Sequence, residues 1–132
     1  MSTFVDTSAF LIILDGNDPE HLTAVELWNE LQDQEETLVT TNYVLVESLA
    51  LMQRRLGLAA VRHFRDRIMP ILQIEWFDVQ EHNDALNSLI VANQRQLSFV
   101  DCSSFWTMQR LGISKAFVFD KHFRAQGYTC IP

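Results

Sequence analysis

Apolar residues recur along the chain in short runs that alternate with longer stretches of helical spacing. The short runs predict strands over Thr3–Asp6, Thr37–Thr40, Leu72–Phe77, Lys115–Phe119 and Tyr128–Ile131. Capping residues and apolar residues at every third or fourth position predict helices between them. Their expected ranges are 7–14, 19–33, 43–56, 58–69, 79–95 and 101–111, with a short one ending at 125. This alternation predicts a three-layer α/β domain in which helices flank a mainly parallel sheet.

Two of the predicted strands stop at an acid, the first at Asp6 and the fourth at Asp120. Right-handed crossovers bring the carboxyl ends of parallel strands to one edge of a sheet. Glu47 and Asp101 fall in the first or second turn of predicted helices, which begin at that same edge when they follow a strand. The topology therefore allows all four carboxylates to meet. Taken alone, Asp6 is equally well explained as the N-cap of the following helix.

Glu47 is the only charged residue between Glu36 and Arg54. The helix that carries it is apolar nearly all round, which predicts burial on several sides. A buried carboxylate must be protonated or have a cationic partner. A metal ion and a salt bridge to Arg54 both meet that requirement.

The composition indicates one globular domain spanning residues 1–132, with 48% apolar residues and no low-complexity tract. The apolar run Ala9–Leu14 is too short to cross a bilayer and lacks the flanks of a signal peptide. We therefore expect a cytoplasmic protein without a membrane partner.

The net charge of −7 argues against a nucleic-acid partner, but its distribution is uneven. Residues 1–53 carry −10 and residues 54–132 carry +3. Half of the basic residues fall in one short span: Arg54, Arg55, Arg62, Arg65 and Arg67. This span is either a contact surface for phosphates or a solvated helix face.

Carboxylates that meet repel each other unless a cation neutralises them, and all-oxygen ligands favour a hard ion such as Mg²⁺ or Mn²⁺. Such an ion supports attack by water on a phosphodiester. The acids alone are compatible with phosphatase, nuclease or phosphoacceptor chemistry.

Four segments resemble the successive motifs of the PIN-domain family, and their order and spacing cover essentially the whole chain. They are FVDTS at 4–8, TTNYVLVES at 40–48, LSFVDCSSF at 97–105 and FVFDKHF at 117–123. Family members of this size resemble VapC-type toxins of toxin–antitoxin pairs. The resemblance implies a metal-dependent endoribonuclease, often a homodimer, that is blocked by an antitoxin protein.

Carried over by position, the resemblance makes Asp6, Glu47, Asp101 and Asp120 the catalytic acids that hold Mg²⁺ or Mn²⁺. The substrate would be single-stranded or loop RNA, cleaved by in-line attack of water to leave a 5′-phosphate and a 3′-hydroxyl. Many relatives have Thr or Ser two residues before the last acid, where this chain has Val118.

Several side chains around the acids have two interpretations each. Ser8 and Ser103 could orient carboxylates by hydrogen bonding or serve only as helix caps. His122 could contact a phosphate or pack locally. For the RNA backbone, the candidate contacts are Arg54, Arg55, Arg62 and Arg65.

Two other functional classes compete with the nuclease. A phosphoacceptor signalling domain needs an acceptor Asp after the third strand, and Asp78, the only one there, is better explained as a helix cap. A PIN-like binding module without catalysis would not need all four acids.

Overall fold

A single parallel sheet runs through the computed structural model, which describes all residues from 1 to 132. Its strands are β1 (Ser2–Val5), β2 (Thr37–Thr41), β3 (Leu72–Glu75), β4 (Lys115–Phe117) and β5 (Thr129–Ile131). They lie in the order β3-β2-β1-β4-β5, and all four pairings are parallel. The predicted α/β class is confirmed, and the sheet is more regular than the sequence alone indicated.

Seven helices flank the sheet. They are α1 (Thr7–Leu14), α2 (His21–Asp33), α3 (Asn42–Leu56), α4 (Leu58–His63), α5 (Val79–Ala92), α6 (Phe99–Leu111) and α7 (His122–Ala125). The single helix predicted over 58–69 is wrong in its second half. There a π-helical turn over Phe64–Ile68 buries both of its end residues, and a 3₁₀ turn over Met69–Ile71 follows.

Two helices begin at other residues than predicted, α6 because a different side chain caps it and α2 because a turn precedes it. The helix expected from Asp101 begins at Phe99, since the Ser98 hydroxyl accepts a hydrogen bond from the Asp101 N–H at 3.0 Å. At the start of α2, Asp18 accepts a hydrogen bond from the Glu20 N–H at 2.8 Å within a turn. The helix therefore begins at His21.

Helix α3 is not buried on all sides, contrary to the expectation from its apolar composition. Leu45 and Met52 are buried, whereas Val46 is 66% exposed and Ala50 is exposed. The helix thus has one face toward the protein and one toward solvent. Glu47 lies between these faces and is half-buried.

The centre of the sheet is the point where the direction of winding reverses. The chain adds β2 and β3 on one side of β1, then places β4 on the other side. In open α/β sheets, ligands bind at the carboxyl ends of the strands beside such a reversal. The buried apolar core contains residues of both central strands, Phe4 and Val5 in β1 and Ala116 and Phe117 in β4. No helix in the chain is long and apolar enough to cross a bilayer.

Candidate active site

Asp6 lies at the end of the central strand, and only 5% of its surface is exposed. Its carboxylate caps α1: Oδ2 accepts hydrogen bonds from the Ser8 N–H at 3.2 Å and from the Ser8 hydroxyl at 2.9 Å. Its own N–H donates to the Phe117 carbonyl at 3.1 Å, which ties the ends of β1 and β4 together. Asp6 is therefore a helix cap that also lines a cavity with the other three acids.

Ser8 connects the two strand ends. While its hydroxyl donates to Asp6, it accepts a hydrogen bond from the Phe119 N–H at 3.0 Å. Val118, which stands where many relatives have a hydroxyl residue, is 2% exposed and packs in the core. Ser8 thus fixes the position of the segment that leads to Asp120.

Asp101, Asp120 and His122 form a tight cluster in which one ligand atom from each lies within 4.8 Å of the others. The Nδ1 atom of His122 is 3.1 Å from Asp101 Oδ2 and 3.3 Å from Asp120 Oδ1. The backbone N–H of His122 also donates to Asp120 Oδ1 at 2.6 Å. His122 therefore bridges two carboxylates that are distant in sequence.

All four acids line one open cavity of about 330 Å³, together with His122. Glu47 faces this cavity with no ion pair and no hydrogen bond to its side chain, so the alternative salt bridge to Arg54 is absent. The sequence topology predicted that these acids would meet, and the structure brings them together at the point where the sheet reverses.

The electrostatics of the cavity show an excess of negative charge. Burial raises the pKa of Asp6 from 3.8 to about 6, against the hydrogen bonds from Ser8, and the charge of Asp101 adds to the rise. Burial also raises the pKa of Asp101, and the charge of Asp120 contributes, while the hydrogen bond from His122 lowers it. The chain's own groups therefore do not neutralise these carboxylates.

The donor set fits a hard divalent cation. Carboxylate oxygens are the ligands that Mg²⁺ and Mn²⁺ prefer, and the imidazole of His122 adds one nitrogen suited to a transition metal. Burial is the main cause of the raised pKa values of Asp6 and Asp101, and the charge of a neighbouring carboxylate adds to each.

Ser103 does not orient Asp101, contrary to one of its two interpretations. Its hydroxyl donates to the Val100 carbonyl at 2.7 Å, within the helix, and it is not the cap either. Ser98 caps α6 instead and also lines the cavity. The prediction of Ser103 as a cap was wrong because the start of the helix was predicted two residues too late.

The arginines predicted to contact RNA are exposed, but none of them lines the acidic cavity. Arg55 borders a separate cavity that also contains Ser8 and Asp15, and Arg65 pairs with Asp66 at 2.7 Å. Arg54 and Arg62 belong to neither an ion pair nor one of these cavities.

Sequence reasoning missed two basic residues that lie beside the acids. Lys121 and Arg124 line a cavity that also contains His122 and Gln96, and both line another that contains Asp120. The available signal was the position of Lys121 directly after Asp120. It was outweighed by the denser run of arginines in residues 54–67.

Comparison with known proteins gives a consistent result. The family model described as "PIN domain" matches residues 3–127. The chain is 34% identical over 127 residues to the "23S rRNA-specific endonuclease VapC20" of Mycobacterium tuberculosis, covering 96% of this chain and 95% of that protein.

Solved structures show the same similarity. The crystal structure of M. tuberculosis VapC20, described as a sarcin-ricin loop cleaving toxin, matches with a TM-score of 0.82 and 33% identity, covering 97% of both chains. FitAcB from Neisseria gonorrhoeae matches with a TM-score of 0.69 over 98% of this chain and 96% of that chain. At 13% identity, this second likeness concerns the fold alone.

Proposed function

The chain belongs to the PIN-domain family, among its VapC-type toxins, and on that premise we propose that it is a Mg²⁺- or Mn²⁺-dependent endoribonuclease that hydrolyses loop RNA. The observation that carries the proposal is the meeting of Asp6, Glu47, Asp101 and Asp120 in one open cavity. Because VapC20 is named for 23S rRNA and its sarcin-ricin loop, an RNA copy of that loop is the first substrate to test.

We propose that Asp101, Asp120 and Asp6 hold the cation, with Glu47 facing it across the cavity. The bound cation would activate water and stabilise charge on the phosphoryl oxygens. Ser8 keeps Asp6 in place through its hydroxyl, and His122 sets the spacing of Asp101 and Asp120. Glu47, which has no partner in the chain, is free to accept a hydrogen bond from water in the cavity.

The reaction is hydrolysis in which the oxygen of water bonds to phosphorus and the bond from phosphorus to the 3′-oxygen breaks. The products are a 5′-phosphate and a 3′-hydroxyl. The cavity is open to solvent on one side, so a phosphodiester of an unpaired loop can approach the acids. A phosphoacceptor role loses its main candidate, because Asp78 is engaged in a reciprocal capping box with Glu81 at the start of α5.

RNA, an antitoxin and a second copy of the chain are the proposed partners, with the cytoplasm as the compartment. The antitoxin proposal rests on membership of the VapC-type toxins. The homodimer is supported by exposed apolar side chains on α5, where Val79, Ile90 and Val91 are between 65% and 84% exposed. Light scattering of the purified protein measures this association directly.

The test is cleavage of the loop RNA by the purified chain with Mn²⁺, with EDTA, and with two matched variants. Asp6→Asn removes a charge inside the cavity, whereas Asp33→Asn makes the same change at an exposed position at the end of α2. We expect cleavage by the wild type and by Asp33→Asn, with at least a hundredfold loss in Asp6→Asn and with EDTA, on the order of one lost charge-stabilising group. Undiminished cleavage by Asp6→Asn would contradict the proposal.

A further inference from the structure

A basic cavity lies directly beside the acidic one. It measures about 570 Å³ and is lined by Gln96, Lys121, His122, Arg124 and Ala125, with no carboxylate among them. Two of these residues, Gln96 and His122, also line the acidic cavity, so the two spaces share a wall. The charge of the lining residues thus changes from negative to positive across Gln96 and His122.

The cations of this basic cavity have no partner in the chain. Lys121 and Arg124 are exposed and form no ion pair. Three other basic residues are paired: Arg65 with Asp66, Arg110 with Glu75 and Glu81, and Lys115 with Glu36. Five arginines elsewhere in the chain are also unpaired, but Lys121 and Arg124 differ from them in lining a cavity together with Asp120.

The electrostatics of a polyanionic substrate explain why such a surface is needed. An RNA strand that places one phosphodiester among four carboxylates brings its neighbouring phosphates close to the same negative field. One divalent cation offsets at most two of the four carboxylate charges, so a neighbouring phosphate still meets net negative charge at the acids. The neighbouring phosphate needs its own positive contacts.

We infer that the basic cavity binds the backbone phosphate adjacent to the one that is cleaved, through Lys121 and Arg124. Gln96 offers an amide donor at the shared wall. The inference rests on the proposed endoribonuclease function and assigns to that function the residues that set the path of the strand. Lys121 and Arg124 are binding residues here, and the chemistry stays with the acids.

The experiment measures binding and cleavage in parallel. Binding of a fluorescein-labelled loop RNA is followed by anisotropy in an Asp6→Asn background, which prevents turnover. The variants are Lys121→Gln, Arg124→Gln and both together, with Arg67→Gln as the matched control. Arg67 is an exposed arginine that lines none of the cavities described above.

We expect each substitution at Lys121 or Arg124 to weaken RNA binding about fivefold, the effect of one exposed charge interaction. Between about 50 and 200 mM salt, the slope of log affinity against log salt should flatten by about 0.7 for each phosphate interaction that a substitution removes. In the cleavage-competent background KM should rise while kcat is retained, and Arg67→Gln should change neither quantity. A structural effect alone would not change the salt slope.

The possible failures can be told apart. If the wild type cleaves RNA while the variants keep its affinity, slope and KM, the inference is overturned and the proposed function stands. If the variants instead lose affinity only for an acidic polypeptide such as polyglutamate, the cavity serves a protein partner and the inference is also overturned. If the wild type cleaves no RNA, the proposed function fails and the inference fails with it.

Discussion

Asp6 shows how one residue can satisfy a structural and a chemical requirement together. Its carboxylate caps α1 through Ser8 and at the same time lines the acidic cavity. The sequence left these two roles as alternatives, because both use an acid at a strand-to-helix turn. Only the structure shows that burial, with 5% exposure, makes the charge of this cap costly.

Replacing Asp6 by Asn should stabilise the metal-free protein while it weakens cation binding. Asn is an equally good N-cap, so the hydrogen bonds from Ser8 can remain, whereas the buried charge is removed. A pKa raised from 3.8 to about 6 corresponds to a cost of up to about 3 kcal/mol at neutral pH. Urea denaturation of metal-free Asp6→Asn should therefore show a higher free energy of unfolding than the wild type. A lower value would contradict the assigned burial of the charge.

The same group predicts the pH dependence of stability. Because its pKa is higher in the folded chain, the folded state binds more protons than the unfolded state between about pH 4 and pH 6. The destabilisation by Asp6 is thus absent below pH 4 and complete above pH 6. The difference in unfolding free energy between Asp6→Asn and the wild type should grow across this window in metal-free buffer. A difference independent of pH would show that the carboxylate has an ordinary pKa.

Some residue contacts had no signal in the sequence. Ser8 accepts a hydrogen bond from Phe119, 111 positions later in the chain. The basic side chains beside the acids come from the four-residue helix α7 and the residue before it. Periodicity and capping signals predict local structure only. They do not predict contacts that depend on which strands become neighbours.

At the scale of elements, α6 determines where Asp101 lies. The Ser98 cap makes Asp101 the third residue of the helix, and its side chain then reaches His122. The sequence predicted the helix and its end correctly. It did not predict the start, because Ser98 and Asp101 are both good caps and only the fold selects between them.

Removing this cap should impair both stability and cation binding. Ser98→Ala removes the acceptor for the Asp101 N–H, which should lower the unfolding free energy by about 1 kcal/mol and weaken Mn²⁺ binding. Asp78→Ala removes the corresponding cap of α5, remote from the acids, and is the matched control. It should lose similar stability and retain Mn²⁺ affinity. Equal loss of Mn²⁺ affinity in both variants would contradict a specific role of the Ser98 cap in cation binding.

At the scale of the whole molecule, the acids at the two edges of the sheet differ in their charge partners. At the amino edge, Glu36 is neutralised by Lys115 at 2.6 Å and accepts a hydrogen bond from Thr3 at 2.7 Å. Lys115 and Thr3 lower the pKa of Glu36. At the carboxyl edge, Ser8 and His122 contact the acids, but no lysine or arginine forms an ion pair with them. The charge of Glu36 is therefore compensated, whereas the carboxyl edge keeps an excess of negative charge.

Glu36→Gln should therefore destabilise the chain without changing RNA cleavage. Losing the charged hydrogen bonds should cost about 2 kcal/mol of unfolding free energy near neutral pH. Because the pKa of Glu36 is lowered, this stabilisation is present above about pH 4.5 and disappears as the pH falls, opposite in sign to the effect of Asp6. Glu35→Gln, at an exposed neighbouring position, is the control. Loss of activity in Glu36→Gln at temperatures where it is folded would contradict this division.

The architecture as a whole followed from the sequence because each strand and nearly every helix has its own local signal. Asp6 and Asp120 could be placed because they directly follow strands that crossovers bring to one edge. The exposure of side chains on α3 could not be predicted, because it depends on what packs against the helix. Val46, for example, is 66% exposed. Long-range electrostatic partners, such as Lys115 for Glu36, likewise need the completed sheet.

We propose that the acids of one cavity bind the divalent cation that RNA hydrolysis needs. Calorimetric titration of Mn²⁺ into the metal-free protein near neutral pH tests it most directly. We expect saturable binding to the wild type and to Asp33→Asn, and a loss of at least tenfold in affinity in Asp6→Asn and Asp101→Asn, about 1.4 kcal/mol for one ligand charge. Wild-type Mn²⁺ affinity in the folded Asp6→Asn and Asp101→Asn variants would contradict it.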